Sequence, residues 1–439
     1  MKIMKFGGTS VGKPERMRQI SQLITADNEP VMVVLSALSG TTNTLVEINQ
    51  LLAALDKQGA TEKIATLENH YQKFINELFQ DPTIHARAKE LLNEHFDFLR
   101  ITQKISLSDA LSKDILAQGE LMSTMLFSLF LEEAKIEHIL LPALDFMRID
   151  QNEEPDLALI QEKLNGVLAK YPSKQIFVTQ GYICRNAKGE VDNLKRGGSD
   201  YTASLIAAAV KASVCEIWTD IDGMHNNDPR VVDKTVAIDQ LSFDEAAELA
   251  YFGAKILHPT CIWPAQQENI PVKLLNTMQP NAVGTVIKKE AGSVGVKAVA
   301  AKDNIIAIKI KSSRMLLAYG FLRKIFEVFE KYKTPIDMIT TSEVAVSVTI
   351  DSDIHLEEII VELSNIASVE VERDQTIVSI VGNEIAKTDS ILTKLFNSID
   401  KIPITMVSYG GSAHNITLLI PSGHKTKTLQ LINKGLFNL

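Results

Sequence analysis

Cysteine is scarce in this chain: 439 residues contain three, Cys184, Cys215 and Cys261. Their separation excludes a C-x-x-C metal or redox motif, and they read as buried, reduced thiols of a cytoplasmic protein. No run of about 18 uninterrupted apolar residues occurs, so no membrane-spanning helix is expected. The opening "MKIMKFGG" is too short for a secretory signal, because glycines interrupt it after six residues. Positive charge is in deficit, with 45 Lys and Arg against 54 Asp and Glu and a net charge of −9. That balance argues against nucleic acid and against an anionic membrane as partners. His70, His85 and His258 lack metal-ligand spacing, and no residue set reads as a protein-borne metal centre.

The remaining composition, 45% hydrophobic and 23% charged, is that of a soluble globular chain long enough for two or three domains. Short apolar runs read as strands: "KIMKF" (2–6), "VMVVL" (31–35), "QIFVT" (175–179), "CEIWT" (215–219) and "VKLLN" (272–276). Helix-like stretches separate them, among them 109–134 and 201–212. Strands of this length, apolar without alternation, predict a largely parallel sheet covered on both faces. Four of the five runs lead into polar loops, "GGTS", "SALSGTTN", "QGY" and "DIDG". Ligands of open α/β sheets bind beyond the carboxyl ends of strands, so these loops predict one shared site.

Residues 281–303 bear three glycines and no aromatic residue, which predicts a domain boundary. We expect a first domain over 1–285, a linker over 286–304, and two related modules over 305–373 and 374–439. Each module reads strand, helix, strand, strand, with Pro335 and Pro403 at matching points. Paired small domains behind a catalytic-looking one suggest regulation; simple duplication that extends a dimer interface is the alternative.

"KFGGTSVGKP" (5–14) contains G-x-x-x-x-G-K, the start of a Walker A loop, but Pro14 replaces the Ser or Thr that binds Mg2+. Pro14 also lacks the N–H that such a loop donates, and suits the first turn of a following helix. The match reads as chance and Lys13 as surface. The informative residues are Lys5 at a strand end and Gly7-Gly8-Thr9-Ser10, where backbone can approach an anion.

"LKRGGSDYTASLIAAA" places Arg196, two glycines, Ser199 and Asp200 at a helix start that favours an anion. A helix cap at Ser199 or Asp200 is the plainer reading. "WTDIDGMHNNDPR" is either a nucleotide clasp or a solvated turn. "LSFDEAAELAYFGAKILHP" begins with a capping box, Ser242 with Glu245, and carries Lys255 near its end. Glu120, in an otherwise apolar helix, needs a partner if buried. Either a structural ion pair or a substrate ammonium would serve.

Together "KFGGTSV", "GELMS", "RGGSDYTA", "TDIDG…DPR" and "GAKILHP" resemble, in order, the aspartate kinases of the amino-acid kinase family. The likeness covers nearly the whole chain, and the tail resembles tandem ACT domains. "MITTSEVAVSVTID" and "MVSYGGSAHNI" are most like the lysine-sensitive monofunctional type. The resemblance implies a three-layer αβα sandwich with a mainly parallel sheet, followed by two ferredoxin-like α+β modules. It implies a cytoplasmic, ATP- and Mg2+-dependent kinase for the β-carboxylate of L-aspartate, with L-lysine as effector. It also implies a homodimer, or a dimer of dimers, through the ACT modules. A sibling kinase with another acceptor, or a non-catalytic amino-acid sensor, is the rival.

By motif, Lys5, Gly7 and Gly8 would hold the transferring phosphoryl group beside Thr9 and Ser10. Glu120 would take the aspartate ammonium and Arg196 its carboxylate. Ser36, Thr42 and Ser199 would help fix the substrate, and Asp200 would orient Lys5. Thr219, Asp220, His225, Arg230 and Lys255 would hold the nucleotide. Met315, Phe321, Leu322, Asp337, Ser342 and Glu343 match the effector positions. The chain departs from the family at Lys195, where Gly is common, and at His225 and Asn226-Asn227, where Tyr and Thr-Thr are common. It departs again at Leu317 and Pro335.

Overall fold

The computed structural model describes residues 1–27, 29–195, 197–253, 257–290, 292–312 and 319–439. They divide into two compact units, Met1–Met224 with Leu257–Lys289, and His225–Ile256 with Glu290–Leu439.

In the first unit the apolar runs form strands β1 (Lys2–Phe6), β2 (Val31–Leu35), β3 (Ile139–Leu141), β4 (Ile176–Gln180), β5 (Cys215–Thr219), β6 (Val272–Asn276) and β7 (Thr285–Lys288). Their order is β3-β4-β2-β1-β5-β6-β7. All neighbours are parallel except β6 and β7. Every residue of β1 and β2 is buried, as expected where helices cover both faces.

Side chains alternate across β1 and sort the two helical layers. Met4 and Phe6 join a core with Leu45, Tyr71, Phe96 and Phe127, drawn from helices Thr41–Ala53, Lys57–Leu78, Pro82–Thr102 and Asp109–Glu133. Lys5 points the other way and meets Asp200 of helix Gly198–Val210. Because β2 and β5 flank β1 on opposite sides, the chain reverses direction across the sheet there. A crevice opens at the carboxyl end of such a strand.

The second unit is built on two long antiparallel strands, β8 (Gly295–Lys311) and β11 (Ser368–Asn383). With β9 (Ile339–Thr341), β10 (Ala345–Ile350), β12 (Met406–Tyr409) and β13 (Asn415–Pro421) they form a sheet ordered β9-β10-β8-β11-β13-β12. Two separate cores lie along it. One gathers Ile308, Phe321, Phe329, Val348 and Ile359. The other gathers Ile380, Leu395, Leu418, Leu429 and Ile432, and takes in Val232. The β8–β11 register shifts between Lys302 and Ile305 and again between Ile305 and Ala307, where one core gives way to the other.

Three expected boundaries differ from this arrangement. Residues 295–304 of the expected linker lie within β8, because Val296, Ala298 and Val299 pair with β11 despite the glycines nearby. The expected division at 373/374 falls inside β11. Residues 225–256, expected in the first domain, group with the C-terminal unit, where Val231 and Val232 pack into the second of its cores.

Candidate active site

Three strand ends meet in the first unit. A cleft of about 520 Å³ there is lined by Gly7, Gly8 and Thr9 after β1, by Ser36 to Gly40 after β2, and by Thr219 and Asp220 after β5. Side chains would be tight at the opening glycines. A Cβ on Gly7 would lie 3.3 Å from Lys5 Nζ, and one on Gly8 3.1 Å from the Ala37 carbonyl oxygen. Lys13 is exposed and Pro14 begins helix Pro14–Ile24, so neither takes part.

Lys5 is buried, and its Nζ lies 2.6 Å from Asp200 Oδ1. Asp200 sits in the first turn of helix Gly198–Val210, whose N-cap is Gly197 at φ +67° with no side-chain cap. Neither Ser199 nor Asp200 therefore serves as the cap. Ser199 Oγ instead accepts a hydrogen bond from Ser36 Oγ at 2.9 Å, joining the β2 loop to the helix start. Ser10, grouped by sequence with Thr9, turns into the core and lies 2.7 Å from Thr277 Oγ1. Its hydroxyl also reaches the Trp218 carbonyl.

Glu120 comes from the middle of helix Asp109–Glu133 and lines the same cleft. The helix approaches closely because residue 119 is glycine; a Cβ there would stand 2.8 Å from that of Ala37. The Ala37 N–H donates to Glu120 Oε1 at 3.2 Å, while Oε2 is buried with no partner among the described residues. Burial pushes the Glu120 carboxyl up to about 8, against the stabilising pull of the Ala37 N–H. No cation among the described residues pairs with it, so the structural ion pair has no support there. A carboxylate held in this way is a receptor for a cationic group that arrives from outside.

Thr42 also lines the cleft, while the preceding Thr41 lies 3.1 Å from the buried Tyr71 hydroxyl. Asn43 and Tyr182, from the "SALSGTTN" and "QGY" loops expected to share one site, line it as well, though neither was singled out as a site residue. Asn43 stands in the same "SGTTN" loop as Thr42 and could have been read with it. Tyr182 follows β4 at φ +65°, its N–H bound to Thr202 Oγ1 at 2.9 Å, and burial raises its phenol to about 12. A backbone bend of that kind leaves no signal in the residue type.

Arg196, Lys255 and Met315 lie outside the described residues. His225 and Arg230 belong to the second unit, where His225 Nδ1 is 2.8 Å from Thr235 Oγ1. Arg230 is exposed and forms a two-pronged pair with Asp228, at 2.9 and 2.8 Å. In the same unit, Asp337 Oδ1 accepts from Lys302 Nζ and from Tyr251 Oη, each at 2.8 Å. Its Oδ2 is buried without a partner among the described residues. Phe321 is buried, Leu322 is 40% exposed, and Ser342 and Glu343 are exposed beside β9. Among the described residues no group of three His, Cys, Asp or Glu side chains could hold a metal ion.

A buried cation facing glycine-rich backbone, with an unpaired carboxylate across the cleft, suits an anionic group and an ammonium together. Known proteins agree with that chemistry. Residues 1–276 match the amino acid kinase family, and 378–436 match an ACT domain. The lysine-sensitive aspartokinase 3 of Escherichia coli is 34% identical over 99% of both chains. Chloroplastic aspartokinase 3 of Arabidopsis thaliana is 32% identical, spanning 99% of this chain and 81% of its own. The crystal structure of E. coli aspartokinase III with aspartate and ADP superposes with a TM-score of 0.84 at 33% identity, covering all of both chains. The lysine and aspartate complex gives 0.81 at 33% identity, covering 100% of this chain and 99% of that one. The chain belongs to the amino acid kinase family, among its aspartokinases.

Proposed function

We propose that this chain transfers the γ-phosphoryl group of ATP to the β-carboxylate of L-aspartate, giving 4-phospho-L-aspartate. The observation that carries the assignment is the bare, buried Oε2 of Glu120 in the cleft that also holds the Gly7-Gly8 loop, beside the Lys5–Asp200 pair. The amino-acid acceptor brings the ammonium that Glu120 lacks.

The acceptor carboxylate is ionised at neutral pH, its reference pKa being about 3.9, so no general base is required. The obstacle is the approach of two anions. Lys5, kept in place by Asp200, neutralises charge on the transferring group, and Gly8, first residue of the helical turn Gly8–Val11, can donate its N–H, while the Gly7 N–H is held by the Trp218 carbonyl at 3.2 Å. Ser36, Thr42 and Ser199 hold the acceptor, and Arg196 takes its α-carboxylate through a bidentate fork. Thr219 and Asp220 receive the nucleotide in the first unit, and His225, Arg230 and Lys255 are assigned to nucleotide binding by their motif. Mg2+, when bound with the nucleotide, would supply charge neutralisation at the phosphates. The exposed Asp220 carboxylate, which lines the cleft, is the protein group that would hold it.

In the second unit, L-lysine acts as effector. The unpaired Oδ2 of Asp337 supports an ammonium there, with Met315, Phe321, Leu322, Ser342 and Glu343 around the ligand. Subunits pair through these ACT modules, whose sheet ends in the short edge strands β9 and β12. Among the described residues no helix is long and apolar enough to cross a membrane.

The test is an ADP-release assay with aspartate, glutamate, N-acetylglutamate and UMP as acceptors, repeated with lysine added. Turnover with aspartate alone, falling as lysine rises, is the expected result. Turnover with another acceptor would reassign the substrate. No ATP turnover with any acceptor would make the chain a sensor, and flat activity up to millimolar lysine would remove the effector.

A further inference from the structure

We infer that Asn433, in the C-terminal helix Lys425–Phe437, is a positioning residue for ATP binding: it clamps the loop that carries His225 and Arg230. The inference rests on the reading of that loop as part of the nucleotide site. It adds a residue some 200 positions away in the chain, which contributes nothing to the chemistry itself.

The clamp is made of three asparagines, Asn226, Asn227 and Asn433, each no more than 4% exposed. Asn226 Nδ2 donates to Asn433 Oδ1 at 3.1 Å, and Asn227 Nδ2 reaches the same oxygen at 3.5 Å. Asn227 Nδ2 also donates to the Leu429 carbonyl, one helical turn earlier, at 3.1 Å. Asn433 Nδ2 donates back to the Lys234 carbonyl at 2.9 Å, on the far arm of the loop. Asn226 ties the two arms together: its N–H donates to the Val236 carbonyl at 3.0 Å, and its Oδ1 accepts from the Val236 N–H at 2.7 Å. The Val299 N–H of β8 donates to the Asn226 carbonyl at 2.8 Å, fixing the loop to the sheet as well.

Apolar contacts repeat the arrangement, since Val232 is a buried member of the core that contains Leu429 and Ile432. At the loop tip Asp228 bonds both the backbone and the side chain of Arg230, while its own N–H donates to Asn227 Oδ1 at 2.9 Å. The orientation of the exposed Arg230 is therefore set by a chain of bonds that begins at Asn433. Buried amides left without partners are costly, so the three asparagines hold one shape or lose it together. The sequence departure at Asn226-Asn227 has its explanation here: these side chains bond the helix and are not available to a nucleotide.

The test uses the full-length chain, with initial rates measured against ATP at saturating aspartate and against aspartate at saturating ATP. Asn433→Ala is expected to raise the KM for ATP about 5- to 20-fold, leaving kcat and the KM for aspartate within about twofold. Asn226→Ala is expected to do the same, and the double variant to fall well short of the product of the two single effects, because the two share the Asn226–Asn433 bond although each also removes bonds of its own. A loss of general stability would instead lower kcat, raise both KM values and add between sites; that result overturns the proposal. So does an unchanged KM for ATP in a folded Asn433→Ala chain. If Asn433→Ala does not fold, Asn226→Asp decides the matter, since its carboxylate keeps an acceptor for Val236 and loses the Nδ2 donor to Asn433. Arg230→Ala in the same assay separates the two layers of inference. If it leaves the KM for ATP unchanged, the nucleotide reading of the loop fails and the clamp with it. If it raises that KM while Asn433→Ala does not, only the clamp fails.

Discussion

Lys5 and Asp200 form a buried ion pair of 2.6 Å between the end of β1 and the first turn of helix Gly198–Val210. The pair lets the sheet present a cation at the cleft without leaving it uncompensated before substrate arrives. Lys5→Ala should lower kcat by about 100- to 1,000-fold, the range for loss of one donor to developing charge. The circular dichroism spectrum should stay native. A variant with near-normal turnover would exclude Lys5 from the phosphoryl-transfer step.

Glu120 sets a pH dependence whose sign follows from its raised pKa of about 8. If the ammonium of aspartate pairs with the ionised carboxyl, kcat/KM for aspartate should climb as pH rises toward 8 and then level. Stability runs the opposite way. Between the unfolded value near 4.5 and the folded value, the folded chain holds a proton that the unfolded chain has released. The ligand-free protein therefore loses stability as pH increases through that window. Glu120→Gln should flatten the Glu120 contribution to both profiles and raise the aspartate KM at pH 8. Rate profiles and melting curves from pH 5 to 9 provide the check.

Gly197 occupies a position that no other residue fits. Its φ is +67°, and an added Cβ would stand 1.7 Å from Cys261 Sγ. Gly197→Ala should destabilise the protein by at least about 1–3 kcal/mol through overpacking and strain, and should raise the aspartate KM because Arg196 is its neighbour. Adding Cys261→Ala relieves the clash but not the backbone strain, so the double variant should recover part of both losses. Denaturant unfolding and steady-state kinetics would show whether it does.

Asp337 offers a buried, unsatisfied oxygen in the C-terminal unit. If the effector ammonium binds it, Asp337→Asn removes a charge-assisted hydrogen bond worth about 1.5–3 kcal/mol. The lysine concentration for half-inhibition should then rise roughly 10- to 100-fold by the relation between free energy and affinity. Calorimetric titration of lysine into wild type and variant measures this directly; equal affinities would place the ammonium elsewhere.

Much of the first unit was legible because its signals are local. The apolar runs at 2–6, 31–35 and 215–219 became β1, β2 and β5, and the polar residues behind them line one cleft because parallel strands end on the same side. Pro14 opened its helix, and Ser242 with Glu245 formed a reciprocal cap, since both effects act within one turn. The burial of Ser10 was not legible: Gly7 to Ser10 are polar or glycine alike, and only Thr277, 267 positions away, draws one hydroxyl into the core.

The sequence by itself determined which segments extend, which coil, and where glycine must stand, because these depend on neighbouring residues and their backbone preferences. Tertiary structure alone decided that Glu120 keeps an oxygen unpaired among the described residues, that one strand takes up residues 295–304 of the expected linker, and that Asn226 and Asn227 answer to Asn433. Those outcomes depend on desolvation and on hydrogen bonds between residues far apart in the chain, which only the packed fold brings within reach.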